Sequence, residues 1–137
     1  MTDVHTPEQR SFNMSRIRHK NTNPELVVRK FLHSKGYRYR LNVSNLIGKP
    51  DIVMKKYNAV IFVNGCFWHG HKNCSFYKEP KTNTEWWRNK IQKNIIRDRT
   101  NIVKLREIGW NVMTIWECEL RINSEYTLND LIQNLEL

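Results

Sequence analysis

Two carboxylates stand out by the company they keep. The 70 residues between Glu8 and Glu79 hold 14 Lys or Arg and only two acids, Glu25 and Asp51. A carboxylate inside a phosphate-attracting surface weakens that surface unless something compensates it. The usual compensator is a divalent cation, held by one or two carboxylates together with substrate phosphates. Glu25 and Asp51 are therefore candidates for metal-assisted phosphodiester chemistry. The plainer alternative is that Glu25 favours a helix N-terminus and Asp51 caps a turn. A second cluster follows in the run Cys66-Phe67-Trp68-His69-Gly70-His71-Lys72-Asn73-Cys74, with Cys118 further on. Three thiols and one imidazole make a Cys3His set, which suits tetrahedral structural zinc. His71, three residues from Cys74, fits such a loop; His69 is then left over. An imidazole beside a metal-binding basic surface is a candidate general acid or base, with a zinc-ligand or surface-stacking role as the alternative.

The composition sets these residues in context. The 137 residues carry 23 Lys+Arg against 13 Asp+Glu, a formal net charge of +10. Such a surface seeks a phosphate backbone or an anionic membrane. No basic amphipathic helix with a broad apolar face stands out, so nucleic acid is the expected partner. At 39% hydrophobic and 11% aromatic residues, the chain is too apolar for a disordered basic tail. No run approaches the roughly 18 apolar residues of a membrane span, and no signal peptide is evident. An odd count of three cysteines argues against a disulfide framework and for a reducing compartment, with the cytoplasm expected.

The elements that must position these groups can be read from periodicity. Thr6-Pro7-Glu8-Gln9 resembles a helix start and leads into a basic arm, 1–20, holding Met14 and Arg16. Asn23-Pro24-Glu25 starts a helix with Leu26, Val27, Phe31 and Leu32 as its stripe, ending at Gly36. Strands are expected at Tyr37–Leu41, Asp51–Met54, Ala59–Val63 and Val112–Trp116, with a turn at Lys55–Asn58. A capping box from Thr82 to Glu85 would open the longest helix, about 83–108, with Trp87, Ile91, Ile95, Ile102 and Leu105 facing the core. A second stripe, Trp86, Lys90, Lys93 and Arg97, forms a basic face led by an aromatic. A terminal helix is expected from Thr127. The order α-β-β-β-α-β-α, without repeats or linkers, predicts one α/β domain over 1–137.

Pro50-Asp51 heading a strand behind a Glu-bearing helix resembles a restriction-endonuclease-like core, which implies a mixed central sheet flanked by helices. That family normally adds an acid-x-Lys on the next strand. Here the strand offers Phe62-Val63-Asn64 instead, and Glu79-Pro80-Lys81 lies beyond the cysteine loop. Four strings together carry a more specific likeness: Arg10-Ser11-Phe12-Asn13-Met14, Gly48-Lys49-Pro50-Asp51, Gly65-Cys66-Phe67-Trp68-His69 and Trp116-Glu117-Cys118. Over nearly the whole chain, from about Asp3 to Leu120, the sequence resembles the very-short-patch repair (Vsr) endonuclease family. The resemblance implies a bacterial, monomeric nickase that cuts 5′ of the thymine in a T:G mismatch. Its expected companions are a cytosine-5 DNA methyltransferase and mismatch-repair proteins, acting on the nucleoid.

What the resemblance implies residue by residue is equally definite. Asp51 and the Val63 carbonyl would hold catalytic magnesium, His69 would be the general base, and Glu25 would hold His69 or metal-bound waters. Zinc would fall on Cys66, His71, Cys74 and Cys118. Phe67, Trp68 and Trp86 would wedge into the DNA stack, with Met14 entering from the opposite groove. Asn64 stands where the family often has a second histidine, and can hydrogen-bond a phosphate oxygen without carrying charge. Aromatic insertion costs a few kcal/mol of unstacking, least at a mispair, so insertion itself selects the damaged site. The competing readings are a restriction-type endonuclease cutting both strands, and a non-catalytic zinc DNA-binding protein.

Overall fold

The structure is a computed structural model and describes residues 23–41, 43–72, 74, 75 and 77–136. The expected basic arm, with its helix start at Thr6 and with Met14 and Arg16, lies outside the described residues. The described chain runs α1 (Asn23–Ser34), β1 (Arg40–Leu41), β2 (Ile52–Met54), a 3-10 turn (Lys55–Tyr57), β3 (Ala59–Asn64), α2 (Thr84–Glu107), β4 (Asn111–Trp116) and α3 (Glu117–Glu136). The strands form one mixed sheet in the order β1-β2-β3-β4. β1, β2 and β3 pair antiparallel, and β3 pairs parallel with β4 through the α2 crossover.

Strand alternation sorts the core into two layers. Ile52, Met54, Ala59, Ile61, Val63 and Ile115 point to one face, where Val28 and Leu32 of α1 and Leu120, Leu128, Leu131 and Leu135 of α3 cover them. Val53, Val60 and Val112 point to the other, against Leu105 and Ile102 of α2. The sheet is thus buried on both sides, which explains the continuous apolar run from Ala59 to Val63.

Several boundaries differ from the expected ones. The strand expected at Tyr37–Leu41 is only Arg40–Leu41, an exposed edge of two residues. The two tyrosines of that stretch serve packing instead. Tyr37 and Tyr39 lie against the core, and the Tyr37 hydroxyl donates to Glu136 at 2.6 Å. The long helix opens at Thr84 with Asn83 as its N-cap in the left-handed region (φ 54°), not with Thr82 as the cap. The Thr84 hydroxyl donates back to the Pro80 and Lys81 carbonyls. The terminal helix starts at Glu117, ten residues before Thr127, and is broken at Asn123 (φ −153°). α1 ends as expected before Gly36, whose φ of 83° lets its N–H reach the His33 carbonyl and that of Tyr37 reach Leu32. No helix among the described residues is long and apolar enough to cross a membrane.

Candidate active site and metal cluster

The ends of β3 and β4, the start of β2 and the middle of α2 converge at one edge of the sheet. Asp51 directly precedes β2, after a tight turn in which Gly48 takes φ 75° and a Cβ there would sit 3.1 Å from Asn101 Cβ and 3.2 Å from the Phe62 ring. Pro50 behind it is fully buried. The turn holds Asp51 against β3, where its Oδ2 accepts the Val63 N–H at 2.7 Å. Burial drives the Asp51 carboxyl up from the ordinary 3.8 to about 7, and the negative charge of Glu25 adds to this; the Val63 N–H, His69 and Arg29 pull the other way. Glu25 is itself 1% exposed and receives Arg29 Nη2 at 3.0 Å. Two acids share this corner, and among the described residues Arg29 and, when protonated, His69 bring positive charge to it. A divalent cation suits that corner, because it restores the charge balance that burial penalises.

His69 faces the same corner and is held by a residue that sequence reasoning missed. Its Nδ1 lies 2.6 Å from Asp98 Oδ2 on α2. A carboxylate only accepts, so Nδ1 carries the hydrogen and Nε2 presents the basic lone pair. Asn64 is buried at the end of β3 and shares with His69, Asp98, Arg99, Thr114 and Trp116 a cleft of about 310 Å³. Glu79, the acid of the stray Glu-Pro-Lys tripeptide, is instead engaged by Arg88.

The loop after β3 gathers the second cluster. Cys66 and Cys118 are buried and Cys74 half-buried, all three as free thiols. With His71 they bring four ligand atoms within 4.8 Å of one another. His71 Nδ1 lies 3.6 Å from Cys66 Sγ and 3.3 Å from Cys118 Sγ. A zinc tetrahedron with bonds near 2.3 Å to sulfur and 2.0–2.1 Å to nitrogen has an S···N edge of roughly 3.6 Å, so the set fits that ion. Burial pushes the Cys66 thiol up to about 12 and raises that of Cys118 as well. Thiolates at these positions therefore need a cation to form at neutral pH.

Gly70 separates the two histidines and decides where each points. Its φ is +56°, and a Cβ would meet Ile91 Cγ2 at 2.5 Å and Ile95 Cδ1 at 2.7 Å. The left-handed turn presses the loop onto α2, with His69 on the Asp98 side and His71 on the thiol side. Asn94, buried on α2, donates to the Trp68 carbonyl at 3.0 Å and secures the same loop. Gly70→Ala is expected to cost about 2–3 kcal/mol in denaturant unfolding, from backbone strain and the close contact together. An unchanged midpoint would show that the loop relaxes freely.

Phe67 and Trp68 are half-buried in an aromatic group. Phe67 touches Trp68, Tyr77 and Trp87 at centroid distances of 5.3, 6.1 and 5.4 Å. Trp87, expected with the core stripe, instead has its ring against Phe67, Trp68 and Trp86. Trp86 remains 59% exposed. Lys90, Lys93 and Arg97 continue its face along α2, all exposed, with Arg97 Nη2 donating to Asn94 Oδ1 at 3.1 Å.

A mixed sheet under three helices, with a buried acid, a His–Asp pair and a Cys/His cluster at one edge, is an α/β nuclease-like architecture. The family described as DNA mismatch endonuclease Vsr matches residues 2–75. The chain is 46% identical to the type II nicking enzyme V.NmeAIP of Neisseria meningitidis serogroup A, over 99% of this chain and 98% of that one. It is 43% identical to the DNA mismatch endonuclease Vsr of Escherichia coli K12, over 99% and 86%. With V.XorIIP of Xanthomonas oryzae pv. oryzae, identity is 47% over 88% of each chain. The chain belongs to the Vsr DNA mismatch endonuclease family, and it is a DNA endonuclease.

Proposed function

We propose that this protein nicks one DNA strand 5′ of the thymine in a T:G mismatch, as a single-domain monomer working with magnesium. The observation that carries the chemistry is the half-buried Asp51 carboxyl, bonded to the Val63 N–H, beside a His69 whose Nδ1 is held by Asp98. Asp51 and the Val63 carbonyl would hold magnesium, whose chemistry there would be to neutralise charge at the scissile phosphate and to acidify the attacking water. His69 accepts that water's proton at Nε2, and Asp98 steadies the imidazolium that results. Glu25, fixed by Arg29, orders solvent in the same corner. Asn64 donates to a phosphate oxygen in place of a charged side chain. Zinc on Cys66, His71, Cys74 and Cys118 holds the loop that carries His69.

Recognition divides between charge and stacking. Lys90, Lys93 and Arg97 follow the phosphates, while Trp86 leads Phe67 and Trp68 toward the base step. The arm with Met14 and Arg16 enters from the other groove. In this reading the enzyme works on the nucleoid in the bacterial cytoplasm, alongside a cytosine-5 methyltransferase and mismatch-repair proteins.

Matched and T:G-containing duplexes, labelled on either strand and run on a denaturing gel, test the proposal directly. The expected result is one magnesium-dependent nick on the thymine strand of the mismatch alone. Cleavage of both strands of a matched duplex would overturn it. His69→Ala is expected to slow single-turnover nicking by about 10²- to 10⁴-fold. Asp98→Asn, which removes the charge that steadies the imidazolium and allows an amide N–H to face Nδ1, is expected to slow it by about 10- to 100-fold. Equal rates in Asp98→Asn and the unaltered enzyme would remove Asp98 from the mechanism.

A further inference from the structure

Trp116 closes β4 and makes two distinct ring contacts with the loop after β3. It stacks flat on His71, with centroids 3.9 Å and planes 3° apart. It stands edge-on to His69, at 6.3 Å and 79°. Among the described residues the indole is therefore the ring shared by the imidazole of the thiol cluster and the imidazole facing Asp51. Its own place is well determined. β4 alternation puts Trp116 on the α2 side with Thr114, where both line the cleft with His69 and Asp98. Its backbone pairs with Asn64, and its N–H donates to Glu119 Oε1 at 3.0 Å.

These contacts matter because of what holds His69 otherwise. Among the described residues the ring has one hydrogen bond, to Asp98, and both partners are about one-quarter exposed. A single bond sets distance but leaves the ring free to tilt about it. Gly70 alone separates His69 from His71, and its left-handed turn lies against Ile91 and Ile95. The flat stack on His71 fixes the indole, and the indole in turn limits the tilt of His69.

We propose that Trp116 is a positioning residue for strand cleavage: by stacking on His71 and abutting His69, it keeps the His69 imidazole aimed into the Asp51 corner. The inference rests on the reading of His69 as the general base. Positioning of this kind acts on the rate rather than on DNA affinity, since misplacement of a reacting group by about 1 Å can cost 10²-fold.

The test uses the full-length, zinc-loaded protein as Trp116→Leu, Trp116→Phe and His69→Ala. It reads kcat and KM on the T:G duplex, zinc per chain, and the ring-proton chemical shifts of His69 and His71. Expected for Trp116→Leu is a kcat at least about tenfold lower with KM within about threefold and zinc retained. Both histidines should also lose the ring-current shift imposed by the indole. Trp116→Phe, which keeps an aromatic face, should recover most of kcat. Wild-type kcat in Trp116→Leu, or a loss of rate that merely follows loss of zinc and is not relieved by phenylalanine, would overturn the inference. Should Trp116→Leu fail to fold, Trp116→Met takes its place, with the same expected and overturning results. Full activity in His69→Ala would instead sink the general-base reading, which separates the two failures.

Discussion

Asp51→Asn is expected to reduce nicking of a T:G duplex by on the order of 10³-fold or more while changing DNA affinity less than about threefold. The amide keeps the shape and can still accept the Val63 N–H, so the fold has no reason to shift. What disappears is the negative charge that would hold a cation at the scissile phosphate. The same substitution should stabilise the metal-free protein at neutral pH. The Asp51 carboxyl sits at about 7 when folded against 3.8 as a free side chain. Between these values the native state holds a proton that the unfolded chain has released, so stability falls as pH rises through the interval. Asp51→Asn has no such proton to lose. Its advantage in chemical unfolding should therefore grow by about 2 kcal/mol between pH 5.5 and pH 8. Magnesium should narrow the gap by binding only the carboxylate form. A pH-independent difference between the two proteins would mean that Asp51 is already ionised and compensated without metal.

Loss of the thiol cluster should be the largest effect on stability. Cys118→Ala, or strong chelation of the unaltered protein, is expected to cost on the order of 5 kcal/mol and to abolish zinc binding at the same time. Cys118 lies in the first turn of α3, directly after β4, while Cys66 and His71 lie after β3. A bound ion therefore ties the two parallel strands together at the edge where the candidate active site is built. Zinc content by mass spectrometry and the unfolding midpoint should fall together. A protein that keeps its midpoint after losing zinc would show that packing of the α2 and α3 layers alone holds the loop.

Asp98 shows both the reach and the limit of sequence reasoning. Glu25 and Asp51 were legible because each is a lone acid in a basic stretch. The same test applied to α2 would have found Asp98, the one acid among six Lys or Arg between Trp86 and Arg106. Its partner was not legible, because His69 and Asp98 are 29 residues apart and meet only through the β3–α2 crossover. Gly70 illustrates the same gap. In the sequence it is a small residue between two histidines; in the fold it is the one residue type that the close approach to Ile91 and Ile95 admits. Trp87 was assigned by helical periodicity to the core, but the aromatic loop beside it captured its ring. Periodicity reports which residues share a face, and says nothing of what that face meets.

By itself, then, the sequence determined the chemical inventory and the layers. Lone carboxylates in a basic field, a Cys3His set, and the alternation of strand and helix patterns are local properties, written in residue types and short spacings. Tertiary structure alone decided how the inventory is divided. It joined His69 to Asp98, and it drew Asp51 to the Val63 N–H. It also set Trp116 between the two imidazoles. Those choices depend on distances between segments far apart in the chain, and such distances exist only once both faces of the sheet are covered.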